Sequence, residues 1–126
     1  LLDVEPRFDL CELATTAGAT FVSRWSTFRS RQGVRAIEGA LRHRGFSLVE
    51  FVAQCPTNFG RYVLKTSSPQ EVVKWIKEHS VSQKEAGKLS RDELAGKYLL
   101  GEFVHRPERK GIVERYQEFL KAHRKE

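Results

Sequence analysis

At 126 residues, with 40% hydrophobic and 30% charged residues, the chain has the make-up of one globular domain or part of one, large enough for a real core. No apolar run approaches the roughly 20 residues of a membrane helix, and two cysteines, Cys11 and Cys55, are too few for a disulfide scaffold, so a reduced, cytoplasmic setting is expected. The net charge of +6 admits an anionic partner, but the basic residues are spread over predicted helix faces, as on a merely solvated surface.

Residues 1–7 read as an extended lead-in. The chain holds no methionine and opens Leu1-Leu2-Asp3, which favours a piece of something longer. Residues 8–17 follow helical spacing, with Leu10, Leu13, Ala14 and Ala17 on one stripe, Asp9 in the first turn and Gly18 as the stop. A short strand is expected over 19–23, then a polar loop over 24–31 with three arginines, Trp25 and Phe28. The next helix, 32–44, turns Val34, Ile37 and Leu41 inward, and Ala36 and Ala40 let it lie close to the sheet. Gly45 caps it, and the strand 46–53 follows at once. This apolar, β-prone run, broken by Ser47 and Glu50, reads as an inner strand buried on both faces of a mainly parallel sheet. Strand, helix and strand in this length make a right-handed βαβ unit.

Pro56 stops the strand, because proline has no N–H to give to a ladder. Residues 58–67 are a loop with an apolar patch at Tyr62, Val63 and Leu64. Ser68-Pro69-Gln70-Glu71 starts a helix that runs to about His79, with Val72 or Val73, Trp75 and Ile76 inward. After a connector over 80–89, Ser90-Arg91-Asp92-Glu93 opens a helix of one or two turns that stops at Gly96. A third strand over 98–104 is weakened by Gly101. Pro107 opens a last helix to about His123, with Ile112, Val113, Tyr116, Phe119 and Leu120 as its apolar stripe and a basic last turn.

Several site types are missing from the sequence. It has no glycine-rich phosphate loop, no Gly-x-Ser-x-Gly elbow and no Gly-Asp pair, and its four histidines are too scattered to suggest zinc. Cys55 is the best single candidate. It sits just past the carboxyl end of a strand, the edge where open α/β sheets bind ligands. As a thiolate it could ligate a metal or act as a nucleophile, though no motif supplies the base a nucleophile needs. As a small apolar residue it could simply be packed, and both readings stay open. Cys11, inside a helix, reads as a packed core residue. Residues 24–44 hold six arginines against one acid, Glu38, with Trp25 and Phe28 interleaved. That pattern suits single-stranded nucleic acid, a phosphate-bearing cofactor or an acidic protein, but the wet basic side of an amphipathic helix explains it as simply.

Four stretches together resemble a known family. They are Phe8-Asp9-Leu10-Cys11-Glu12-Leu13-Ala14, then Ala17-Gly18-Ala19-Thr20-Phe21-Val22-Ser23-Arg24, then His43-Arg44-Gly45-Phe46-Ser47-Leu48-Val49-Glu50, then Gln54-Cys55-Pro56-Thr57-Asn58-Phe59-Gly60-Arg61. Their order and spacing resemble the beta subunit of 2-oxoacid:ferredoxin oxidoreductases, most closely the 2-oxoglutarate type, and Ser90 to Leu94 and Gly96 to Gly101 are similar too. Val22-Ser23-Arg24, where the family commonly reads Val-Ala-Arg, and Asn58 are small departures.

The resemblance implies an α/β fold: the C-terminal portion of a thiamine diphosphate-binding domain, with a mostly parallel sheet flanked by helices. Residues 1–64 would belong to that domain and 65–126 to a C-terminal extension. It implies oxidative decarboxylation of a 2-oxoacid, transfer of the acyl group to coenzyme A and passage of electrons to ferredoxin. The parent enzyme would carry thiamine diphosphate, Mg2+ and a 4Fe–4S cluster, and would include alpha and further subunits. The Gly-Asp-Gly-Asp motif for thiamine and the Cys-x-x-Cys of the cluster are not in this sequence, so this piece alone is expected to hold no cofactor and to be inactive. Cys55 maps onto the distant fourth cluster ligand. Neither a membrane nor nucleic acid is an expected partner. The alternatives are a basic, non-enzymatic α/β module that binds nucleic acid or an acidic protein, and a pyruvate-specific relative.

Overall fold

In the computed structural model, residues 8–124 are described. The predicted lead-in and Lys125 lie outside them. Asp9 is the N-cap of the first helix rather than part of its first turn, and its carboxylate accepts the Glu12 N–H at 2.9 Å. That helix, α1 (Leu10–Thr16), hands over at Gly18 to β1 (Phe21–Ser26). A 3-10 turn (Thr27–Arg29) leads into α2 (Ser30–Arg42), and β2 (Ser47–Val52) follows. A π-helical segment (Pro56–Leu64) then precedes α3 (Pro69–Glu78), which is capped by Ser68 as the sequence suggests. The chain continues through β3 (Ser80–Ser82), α4 (Gln83–Ala86), α5 (Arg91–Leu94), β4 (Tyr98–His105) and α6 (Ile112–Ala122).

The four strands form one sheet in the order β2-β1-β4-β3. β1 pairs parallel with β2, and β3 pairs parallel with β4, while the central β1–β4 pairing is antiparallel. The βαβ unit is therefore present as expected, in a sheet with two parallel pairings of three. Connector residues 80–89 supply β3 and α4, whose capping box is Ser82 with Glu85. The predicted loop after Pro56 coils instead, because Gly60 N–H returns to the Cys55 carbonyl at 2.8 Å. The last helix starts at Ile112, five residues later than expected, where the Glu114 carboxylate accepts the Gly111 N–H at 3.1 Å.

Three expectations about burial are corrected. First, the inner strand is β1, not β2. Phe21, Val22, Ser23, Arg24 and Ser26 are all buried, while β2 lies at the sheet's edge and is only half-buried. Second, α1 buries Cys11, whereas Leu10 and Leu13 are exposed. Cys11 joins Ala19, Val22 and Val104 in the core, with Ala14, Leu48 and Phe103 packed around them. Third, α2 lays its small residues on the sheet: Gly33 and Ala36 are buried, while Val34, Ile37 and Leu41 face outward. Close approach is the cause, since a Cβ on Gly33 would come within 2.1 Å of the Phe51 ring. The stripe of α6 is likewise open, from Ile112 to Leu120. Among the described residues, no helix is long and apolar enough to cross a membrane.

Candidate functional site

The site is built at the carboxyl ends of β1 and β2. These two strands run parallel in register from Phe21 with Ser47 to Ser26 with Val52, so their C-terminal loops leave the sheet side by side. The Thr27 hydroxyl and the Gln54 amide oxygen, 2.8 Å apart, tie the loops together. Cys55 follows directly at the head of the π-helical segment, with φ −127° and ψ 86°, short of the extended region, and with Pro56 in the segment's first turn.

Sequence and local structure together decide the state of this thiol. The first N–H groups of a helical segment lack partners within it. Here the N–H groups of Phe59 and Asn58 face the Cys55 sulfur, with the Thr57 hydroxyl 3.7 Å from it. They hold the thiol's pKa below its ordinary value, favouring the thiolate. The sulfur is exposed. A metal ligand needs this combination of thiolate character and open approach. No third group is close: among the described residues, no cluster of three or more His, Cys, Asp or Glu could hold a metal ion. Cys55 can therefore be one ligand of a centre completed by other cysteines, and that donor chemistry fits an iron–sulfur cluster. The described residues do not fit thiamine diphosphate with Mg2+, which needs clustered oxygen ligands.

Cys11 is the opposite case. Burial, and then the hydrogen bond its Sγ donates to Glu50 Oε2 at 3.2 Å, push its thiol up to about 12. Near neutral pH, iodoacetamide is expected to modify Cys55 and spare Cys11 in the folded chain. Peptide mass spectrometry would show this, and equal labelling of both cysteines would contradict the assigned environments.

Sequence reasoning missed the buried charge cluster behind the site. β1 runs three residues past its predicted end and takes Arg24 out of the expected loop into the interior. Its Nε donates to Glu50 Oε2 and its Nη2 to Asp9 Oδ1, each at 2.7 Å. The guanidinium also lies over the Phe103 ring, 5.4 Å from its centroid. Burial would lower the Arg24 pKa, but the two hydrogen bonds outweigh it and raise it. The signal was Glu50, a charge inside an apolar strand run, which has to find a partner.

No family model matches the chain. Among characterised proteins it is 44% identical over 105 residues to 2-oxoglutarate synthase subunit KorB of Methanothermobacter thermautotrophicus, covering 83% of this chain and 36% of that one. It is 40% identical over 107 residues to the KorB subunit of Methanocaldococcus jannaschii, covering 83% and 39%. A shorter match, 42% over 45 residues, is to 2-oxoacid:ferredoxin oxidoreductase 2, subunit beta, of Aeropyrum pernix, covering 36% of this chain and 15% of that one. A chain of the 2-oxoglutarate:ferredoxin oxidoreductase from Magnetococcus marinus, solved with 2-oxoglutarate, coenzyme A and succinyl-CoA bound, shares the fold. The TM-score is 0.66 at 19% identity, over 94% of this chain and 40% of that one. The sequence thus spans somewhat over a third of the length of the KorB relatives named above. Over most of its length the chain is a homologue of part of the KorB subunits of 2-oxoglutarate synthase.

Proposed function

We propose that this chain is the C-terminal portion of the beta subunit of a cytoplasmic, ferredoxin-dependent 2-oxoacid oxidoreductase, with 2-oxoglutarate as its substrate. The observation that carries the reading is the place of Cys55: an exposed thiol just past the carboxyl end of β2, on a loop tied to the end of β1 by the Thr27–Gln54 hydrogen bond. The relatives are a 2-oxoglutarate synthase subunit and a 2-oxoacid:ferredoxin oxidoreductase subunit, which supports oxidation of a 2-oxoacid with electrons passed to ferredoxin. The structural neighbour holds 2-oxoglutarate, coenzyme A and succinyl-CoA, which supports transfer of the acyl group to coenzyme A. Residues 1–64 would complete the thiamine domain and 65–126 would form its extension. The open stripe of α6, and Ile37 and Leu41 of α2, suit burial against the rest of the subunit or against its alpha partner.

In the whole enzyme, thiamine diphosphate with Mg2+ would supply the carbon chemistry and a 4Fe–4S cluster the one-electron path. The role of this chain is positional. Cys55 Sγ would be the distant ligand of that cluster, and the N–H groups of Asn58 and Phe59 would offset charge on the sulfur. The Thr27–Gln54 hydrogen bond fixes the loop that carries the ligand, and the Arg24 cluster fixes the strands beneath it.

The test is ferredoxin reduction by the assembled complex over a panel of 2-oxoacids, with and without coenzyme A. Reduction that depends on coenzyme A and is fastest with 2-oxoglutarate is expected. A preference for pyruvate would move the chain to the pyruvate-specific relatives, and no reduction with any 2-oxoacid would overturn the reading.

A further inference from the structure

The start of α2 breaks a rule of helix electrostatics. A helix N-terminus carries partial positive charge and favours acids. Here the N-cap is Arg29, which makes no side-chain capping bond, Arg31 stands in the first turn, and that turn holds no acid. Where a local rule is broken without local gain, a functional demand is the usual cause. Lys77 on α3 adds a third cation: Phe28, Arg29, Ser30, Arg31, Gln32 and Lys77 line one hollow of about 500 Å3. The charge continues along α2, where Arg35 and exposed Val34 line the adjoining surface.

All four cations are exposed, and none is in an ion pair among the described residues. The Arg29 charge does reach Glu85: Ser82's hydrogen bonds chiefly, and Arg29 less, hold that carboxyl below its ordinary pKa. The cations flank the same sheet edge as Cys55. Arg29 is two residues beyond Thr27 and Cys55 one beyond Gln54, and the Thr27 and Gln54 side chains are hydrogen-bonded. Along that route the backbones of Arg29 and Cys55 are at most about 20 Å apart.

We propose that Arg29, Arg31, Arg35 and Lys77 form the docking surface for an acidic, electron-accepting iron–sulfur protein beside the Cys55 centre. The inference rests on the reading of Cys55 as a cluster ligand. Two features favour a protein over nucleic acid. Single strands need open aromatic platforms, but Phe28 is half-buried with the Arg29 guanidinium over it at 5.8 Å, and the Trp25 indole nitrogen is buried. The patch is also an open surface of cations mixed with an exposed valine, which suits a protein rim that steers an oppositely charged partner.

The experiment uses the complete enzyme with Arg29→Glu, Arg31→Glu and Lys77→Glu combined. Reduction of an acidic ferredoxin and of a small viologen dye are followed over a range of ionic strength. Glutamates at 29 and 31 suit the start of α2, whereas Lys77 stands in the last turn of α3, where a glutamate is unfavourable. Viologen reduction and the unfolding midpoint of the variant therefore report any loss of fold, and Arg29→Glu with Arg31→Glu alone should already show a ferredoxin-specific loss. The expected result is kcat/KM for ferredoxin about tenfold or more below wild type at low salt, a flatter salt dependence and unchanged viologen reduction. Ferredoxin kinetics within about twofold of wild type would overturn the proposal. So would an equal loss with both acceptors, or steeply salt-dependent binding of a single-stranded oligonucleotide in the wild type that the variant loses. A wild-type enzyme that reduces neither acceptor would fail at the cluster reading, and the proposal would fall with it.

Discussion

Arg24→Met is expected to lower the stability of the fold by about 3 kcal/mol. Methionine keeps most of the arginine's volume but none of its charge. It would leave the carboxylates of Glu50 and Asp9 without the guanidinium that each meets at 2.7 Å. Removing one partner of a buried ion pair costs roughly 3–5 kcal/mol, because a desolvated charge is left uncompensated. The Arg24 side chain is 7% exposed, but Glu50 and Asp9 are 25% and 39% exposed and can recover some water, which puts the loss at the low end. Denaturant unfolding at neutral pH would measure it, and a loss under about 1 kcal/mol would show that the cluster is not a structural keystone. Arg24→Lys should recover only part, since an ammonium has no planar fork to span two carboxylates.

The same cluster gives a pH signature. Burial alone would raise the Asp9 pKa, but hydrogen bonds from Arg24 and from the Glu12 N–H outweigh it and hold it below the ordinary 3.8. A carboxyl depressed in the folded state contributes its stability fully above its unfolded pKa and loses it as pH falls through the folded one. In Arg24→Met most of that contribution is absent at every pH. Its stability should therefore fall less steeply than wild type as pH drops below about 4.

Local signals carried much of the architecture. The βαβ unit was legible because an amphipathic helix between two β-prone runs admits few other packings. The Ser-x-x-Glu patterns at Ser68 and Ser90 marked true helix starts, although the box closes at Ser90 and not at Ser68, whose N–H donates to the Thr66 hydroxyl. Burial direction was harder to read. Hydrophobic periodicity put Val34, Ile37 and Leu41 on the sheet, yet the sheet took Gly33 and Ala36, which allow a closer approach. A strong apolar stripe marks what a helix must bury somewhere, and in this chain the face of α2 that carries it has no cover of its own. β2 misled for the same reason: its apolar run suits an inner strand, and here it is an edge. Arg24 was hidden because nothing local told the end of β1 from a polar loop, and its partners lie 15 and 26 residues away. Cys55 needed only position, a strand end followed by proline. The amides around its sulfur depend on the π-helical turn, which no local pattern announced.

The second large effect separates the two cysteines in the assembled enzyme. Cys55→Ser is expected to lower iron content and to cut ferredoxin reduction about tenfold or more, whereas Cys11→Ser should leave both near wild type. The contrast follows from surroundings, since the chemical change is the same at both positions. At Cys55 the sulfur is exposed and held toward thiolate by N–H groups, and a serine hydroxyl there stays protonated and makes a poor ligand for iron. At Cys11 the thiol is fully buried and protonated and donates to Glu50, a hydrogen bond that a hydroxyl can also donate. Iron analysis and the EPR signal of the reduced cluster report on the ligand directly, and ferredoxin kinetics report on its use. If the two variants lose iron and activity equally, the damage comes from the fold rather than from a ligand. If neither loses anything, the cluster is held by other residues, and the amides around Cys55 serve a different anion or none.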